Sequence, residues 1–410
     1  MEASDSSNLF RSEAELVLQE SRKQKAERIK TLGSPIETPG KALGIEIRGN
    51  AAWIAENTGI ARVLDLETGK TLHLFRGHSA PVTCLAFFTG QFTSGSGDVM
   101  VTGSWDKTIK LWNTDTKELI SSTAAHSDFV KAVLTIPSLR LLVSSGSDQI
   151  VRLWDLSTYH DGKPLQSVGS ISAHTRPVEA LAFRTVSDKS IVLYTADTMG
   201  LIRVWDVSKE NNSDRWQITE QEMFDYHRTG INELLYGQGQ LWTASTDETV
   251  QIHPHPAPAK PLKLAPPITH PTAVKAFLPL SLTFLAEPYL LTGAGGVIRV
   301  YDVSTLEEPE LIRELDAHWH DLTALRLWMR TSPVEGTAGQ LKVEPWIVST
   351  SLDGTIRKWR LSELLNPAPP APVVATPEPE LEKTSSTAAP PTFQMSEEEE
   401  RELAELMEED

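Results

Sequence analysis

A histidine, a hydroxyl residue and an aspartate recur in one order three times along the chain. The sets are His78, Thr102 and Asp106; His126, Ser144 and Asp148; and His318, Ser349 and Asp353. These are the residue types of a nucleophilic relay, in which a carboxylate orients an imidazole that takes a proton from a hydroxyl. Recurrence weighs against that chemistry. A structural framework needs the same set in several places, whereas an active site needs it once. No serine stands in the G-x-S-x-G turn of many hydrolases, so no catalytic residue is assigned.

Metal chemistry is as poorly supported. The close histidine pairs are His253 with His255 and His318 with His320, and neither has cysteine or acidic ligands at a recognisable spacing. The one cysteine, Cys84, excludes a disulfide framework and any multi-cysteine zinc site within one chain. It lies in the apolar run V-T-C-L-A-F and reads as buried strand filler. The glycine-rich S-G-S-G at 94–97 lacks the Lys-Ser/Thr of a phosphate-binding loop and reads as a loop tip. No cofactor and no metal are expected.

The elements that carry these residues are hairpins. Residues 101–112, V-T-G-S-W-D-K-T-I-K-L-W, alternate apolar and polar, turn at D-K-T and alternate again. The hairpin ends in Trp112, and His78 lies 34 residues earlier. Related stretches recur seven times between residues 41 and 361, with Leu64, Trp112, Trp154, Trp205, His253, Tyr301 and Trp359 at 42 to 58 residue intervals. One hairpin is marginal alone, so stacked repeats must supply the core. Repeats of about 40 residues with four short strands each predict an all-β, seven-bladed β-propeller.

The phased Gly77-His78, Ala125-His126, Ala173-His174 and Ala317-His318 pairs, with W-D at 154–155 and 205–206, resemble the WD-repeat family. The resemblance implies a buried relay in each well-formed blade, running from histidine to serine or threonine, to the turn aspartate, and closed by tryptophan. It assigns His78, Thr102, Asp106 and Trp112; His126, Ser144, Asp148 and Trp154; and His318, Ser349, Asp353 and Trp359. Other units depart from the pattern. The fourth keeps His174, Thr195 and Trp205 but has Met199 in the aspartate column. The fifth keeps His227, Thr243 and Asp247 but has His253 for tryptophan. The sixth has Gly295 and Tyr301. The first has Thr58 and Leu64 and no clear histidine. These four blades are expected to rely more on apolar packing and to open locally more readily.

The resemblance also implies a top face where partners bind. Its candidates are Trp105, Ser147, Thr246 and Leu352 at the turns, and Phe129, Arg176, Trp319 and His320 after the histidines. The expected function is a non-catalytic scaffold of a multiprotein complex. Alternatives are a substrate receptor of a ubiquitin ligase, against which the absence of W-D-x-R counts, and a propeller hydrolase.

Flanking segments complete the domain plan of 1–40, 41–365, 366–394 and 395–410. Residues 12–32 read as a charged helix, acidic first and basic last, as the helix dipole favours. Prolines beyond Asn366 forbid a further strand. The last blade must therefore take its outer strand from elsewhere, and the segment 28–36 is the expected donor, with the helix ending near residue 26. Residues 366–394 form a Pro/Ala/Thr-rich linker expected to be disordered. At 395–410 an acidic helix with a Leu403, Leu406 and Met407 stripe offers a docking motif.

Charge and hydropathy narrow the partners. The net charge of −17 argues against nonspecific nucleic-acid binding. The apolar region 273–291 is interrupted by Pro279 and by Glu287-Pro288, so no membrane insertion is expected. With no secretory signal at the start, the expected compartment is cytoplasm or nucleus.

Overall fold

A computed structural model describes residues 13–92, 95–157, 159, 162–210, 215–258, 264–333 and 341–366. The tail motif with Leu403, Leu406 and Met407 lies outside the described residues.

Seven four-stranded antiparallel sheets make a seven-bladed β-propeller. Six blades are consecutive meanders. The first, for example, runs Ala42–Arg48, Ala51–Glu56, Ile60–Asp65 and Thr71–Arg76. The inner strands lie side by side around a central channel, and Leu322–Pro333 of blade seven returns to Ala42–Arg48 of blade one. Apolar residues buried between blades form the core. Phe88, Val99 and Leu111 of blade two pack with Val130, Leu142 and Trp154 of blade three, and each blade junction repeats this arrangement. Full burial of side chains this size stabilises by about 1.5–3 kcal/mol each.

Blade seven is built differently. Its own three strands are Leu322–Pro333, Leu341–Ser351 and Thr355–Arg360, and its outer strand is Ile36–Glu37 from the N-terminus. Ile36 pairs with Ile356, and Glu37 with Thr355. The donor strand is shorter and later than the expected 28–36, and the helix runs Glu13–Arg28, past residue 26. The cause is local. Ile29 is buried, and Arg357 donates to the carbonyl oxygens of Ile29 at 2.6 Å and Leu32 at 2.5 Å, holding 29–32 as a turn. Gly33 and Ser34 then take left-handed backbone, φ 67° and 44°, which reverses the chain before pairing starts. A Cβ on Gly33 would lie 2.7 Å from the Trp359 ring.

After the third strand, Leu361–Leu365 forms a short helix that buries Leu361 and Leu364. The glycine-rich segment at 94–97 is not wholly a loop, because Gly95–Ser104 is a strand.

The inner strand of every blade carries a β-bulge one residue after its first pairing. A bulge leaves one residue unpaired and re-aims its side chain. The bulged residues include Thr83, Lys131, Glu179, Asn232, Lys275 and Thr323. They bond across blade boundaries: Lys131 Nζ to Glu179 Oε1 at 3.1 Å, Lys275 Nζ to Asn232 Oδ1 at 3.0 Å, and Thr83 Oγ1 to the Val130 carbonyl at 2.8 Å. Deeper in the channel, Arg326 of blade seven reaches Glu46 of blade one at 3.3 Å and Glu233 of blade five at 3.1 Å. Burial acts to lower the Arg326 pKa, but these two carboxylates hold it above its ordinary value. Cys84 also lines the channel, and burial pushes its thiol up to about 12, which keeps it protonated and unreactive.

Candidate functional site

The recurrent histidines sit in the loop entering each inner strand, and the aspartates sit in the hairpin turn between the two middle strands. Both lie at one end of the blade, here called the top. In blade two, His78 Nδ1 meets Asp106 Oδ2 at 2.8 Å and His78 Nε2 meets Thr102 Oγ1 at 2.8 Å. Trp112 Nε1–H donates to the same Oγ1 at 2.9 Å. Blade three repeats this with His126, Asp148, Ser144 and Trp154, every distance being 2.8 Å. Blade seven does so with His318, Asp353, Ser349 and Trp359 at 2.8–2.9 Å.

The order of donors fixes the protons. An indole N–H can only donate, so the hydroxyl oxygen accepts from it and passes its own hydrogen to Nε2. That leaves a ring proton on Nδ1 for the carboxylate, and in blade three the Arg152 guanidinium also lies 2.8 Å from His126 Nδ1. Burial lowers the pKa of His126, His227 and His318 despite the adjoining aspartates. Desolvation acts to raise the relay carboxylates, but bonds from the histidine and the turn hold Asp247 and Asp353 low, and bonds from Arg152 and then His126 hold Asp148 at about 2. Thr102, Ser144 and Ser349 are 0% exposed, so no substrate reaches the hydroxyls that a nucleophilic mechanism would use. The sets are buried framework, and their cooperative bonding specifies one blade geometry.

These shifts set a pH dependence. A histidine or aspartate whose pKa is lower folded than unfolded binds more protons when unfolded, so stability rises with pH. The relay contribution is complete above the ordinary histidine pKa near 6.5 and is lost as pH falls through the depressed folded values. A second loss begins below the ordinary aspartate value of 3.8. Glu233, raised by burial, runs the other way as a single group. The melting temperature is expected to fall from pH 7 to pH 5 and again below pH 4. A melting temperature higher at pH 5 than at pH 7 would contradict the assignment.

Blade four departs from the expectation. Met199 stands in the aspartate column and is 51% exposed, but the relay is complete. Asp197, two residues earlier at the strand end, meets His174 Nδ1 at 2.9 Å, while His174 Nε2 meets Thr195 and Trp205 Nε1 donates to Thr195. The carboxylate rises from the strand instead of the turn, and its Oδ1 accepts the Met199 N–H at 2.9 Å. Asp197→Ala is expected to cost about 2–3 kcal/mol, since it strips a buried histidine of its acceptor. Met199→Ala should stay within about 0.5 kcal/mol. Urea melts of the two variants decide between the columns.

Blade one uses the Asp197 position differently. Glu56 is buried there and binds the Arg62 guanidinium and the Thr58 hydroxyl, with no histidine in the set. In blade five, His227 bonds Asp247 and Thr243, and His253 stacks on Tyr226 at 3.6 Å in place of tryptophan. In blade six, His270 Nε2 meets Thr292 at 2.8 Å with Tyr301 at 3.4 Å, and among the described residues no carboxylate bonds it. The paired histidines 253 and 255 diverge, since His255 Nδ1 bonds the Tyr194 hydroxyl at 2.6 Å. Among the described residues no cluster of three metal-ligating side chains exists.

The top face carries the contact candidates. The rings of Trp105 from blade two and Phe129 from blade three stack at 5.0 Å and 20°, each 38% exposed. Backbone bonds hold both, Trp105 N to the Pro81 carbonyl at 2.9 Å and Ser147 N to the Phe129 carbonyl at 2.8 Å. Arg176 and Thr246 are exposed, and Ser147 and Leu352 are half-buried. Trp319 and His320 lie together, half-buried, at 5.7 Å. Sequence alone could name Trp105 and Phe129, but their stacking depends on two blades meeting.

Comparison with known proteins agrees with this architecture. The model for "WD domain, G-beta repeat" matches residues 69–113 and 117–155. The first window opens beside the outer strand of blade one and ends in the third strand of blade two, so sequence unit and blade are offset by one strand. An uncharacterized WD repeat-containing protein of Schizosaccharomyces pombe is 27% identical over 380 residues, covering 88% of this chain and 90% of that protein. The COMPASS component SWD3 of Saccharomyces cerevisiae is 30% identical over 138 residues, 33% of this chain and 41% of that one. WD repeat-containing protein 37 of Mus musculus is 35% identical over 111 residues, 27% and 21% of the two chains.

Proposed function

We propose that this chain, which belongs to the WD-repeat family of β-propellers, is a non-catalytic scaffold that holds another protein on its top face and so joins a multiprotein complex. The observation that carries this reading is the stacked Trp105–Phe129 pair. Two large rings stay exposed although the relay pattern needs neither of them, and both stand on backbone fixed by hydrogen bonds. Rigid aromatic anchors of this kind dominate binding energy at protein interfaces. Arg176 in the loop of the neighbouring blade adds a cation to the same face. The relative named as a COMPASS component is by that name part of an assembly, which fits such a role.

A photo-crosslinking amino acid in place of Phe129 tests this in cells. The expected result is a discrete covalent adduct with another protein. The control places the same group at Leu72, exposed on the outer strand of blade one. No adduct from Phe129, or the same adducts from both positions, would overturn the reading.

A further inference from the structure

Between the N-terminal helix and the loop after His318 lies a groove of about 530 Å³. One wall is a single face of the helix, with Leu18, Arg22, Lys23 and Ala26 at three- and four-residue spacing. The opposite wall is Trp319 and His320. The helix is fastened to the propeller at its far end. Lys25 and Arg28 bind Asp316 at 2.7 and 2.5 Å, Ile29 is buried, and Arg357 holds the carbonyls that follow. Its earlier turns are uncovered, with Val17 65% and Leu18 51% exposed.

The charge of this groove runs against that of the chain. The protein carries −17 overall, yet Arg22 and Lys23 face the groove and form no ion pair among the described residues. Glu15 also lines it, and Asp321 lies beside His320. Apolar surface flanked by two cations is the complement of an acidic amphipathic helix.

We propose that this groove docks an acidic amphipathic segment of a partner protein. Aliphatic side chains of the segment pack on Leu18, Ala26 and Trp319, and its carboxylates bind Arg22 and Lys23. The helix is thus one wall of a binding site separate from the aromatic pair on the top face.

The test is fluorescence anisotropy on the full-length chain. The probe is a labelled synthetic glutamate peptide with leucines at every third and fourth position. Saturable binding is expected, weakened about tenfold or more by the double substitution Arg22→Glu and Lys23→Glu. Added salt should weaken it too. The same peptide with lysine for glutamate should not bind, and Leu18→Ser should weaken the acidic peptide without changing the melting temperature. Trp105→Ala, which bears on the preceding proposal, should leave the affinity as it was. The inference fails if the acidic peptide does not saturate or if both peptides bind alike. It fails equally if charge reversal changes nothing, or if Trp105→Ala abolishes binding.

Discussion

His318→Ala is expected to destabilise the propeller by about 3–4 kcal/mol, the largest effect of any single relay substitution. His318 and Asp353 side chains are both 0% exposed, so the variant leaves a carboxylate in the interior with the Thr355 hydroxyl and N–H and a long 3.4 Å bond from the Trp319 N–H as its remaining donors. Ser349 loses its acceptor while Trp359 still donates to it. The cavity left by the imidazole adds to the loss. The blade concerned is the one that closes the ring, so the damage cannot be confined to a peripheral repeat. His270→Ala supplies the comparison. Among the described residues His270 has no hydrogen-bonded carboxylate, and bonds Thr292 with weaker contacts besides, so its removal should cost about half as much. Chemical denaturation of both variants measures the difference, and equal losses would mean that the carboxylate contributes nothing.

Removal of residues 1–37 is the second large effect. The truncation deletes the outer strand of blade seven, the buried Ile29, and the acceptors of Arg357. It also removes the Gly33 carbonyl that accepts the Lys358 N–H at 2.6 Å. Arg357 is 3% exposed and would keep its charge without its carbonyl partners. Thr355–Arg360 would become a bare sheet edge, a template for pairing with other chains. Together these are on the order of 5 kcal/mol, or about 6 °C in melting temperature for a chain of this size. Self-association is expected to accompany the loss. An unchanged melting temperature would show that the ring closes without its N-terminal strand.

Much of this was legible in the sequence because the period is strong. The histidine-to-tryptophan spacing in repeats two, three and seven located their relays, and the prolines after Asn366 required a donor strand from the N-terminus. What was missed depends on residue-level geometry. Asp197 lies outside its column because a carboxylate at the strand end reaches the same imidazole as one in the turn, and a column alignment treats the two as different positions. The donor strand shrank to Ile36–Glu37 because Arg357, 328 residues from Ile29, holds the preceding backbone in a turn. The bulged residues of the inner strands left a faint trace, polar side chains such as Lys131 and Asn232 at the start of apolar runs. The Trp105–Phe129 stack and the groove beside Trp319 need distances between elements far apart in sequence. Blade four was expected to be weak and has a full relay, whereas blades one and six depart from it in fact.

On the proposed reading, the relay sets hold the shape and the uncovered aromatic pair does the binding. Recovery of co-purifying proteins by the double variant Trp105→Ala and Phe129→Ala, normalised to its folded fraction, tests that division most directly. The predicted result is a melting temperature within about 2 °C of the unsubstituted chain and partner recovery reduced about tenfold or more. Undiminished recovery at an unchanged melting temperature would contradict the account.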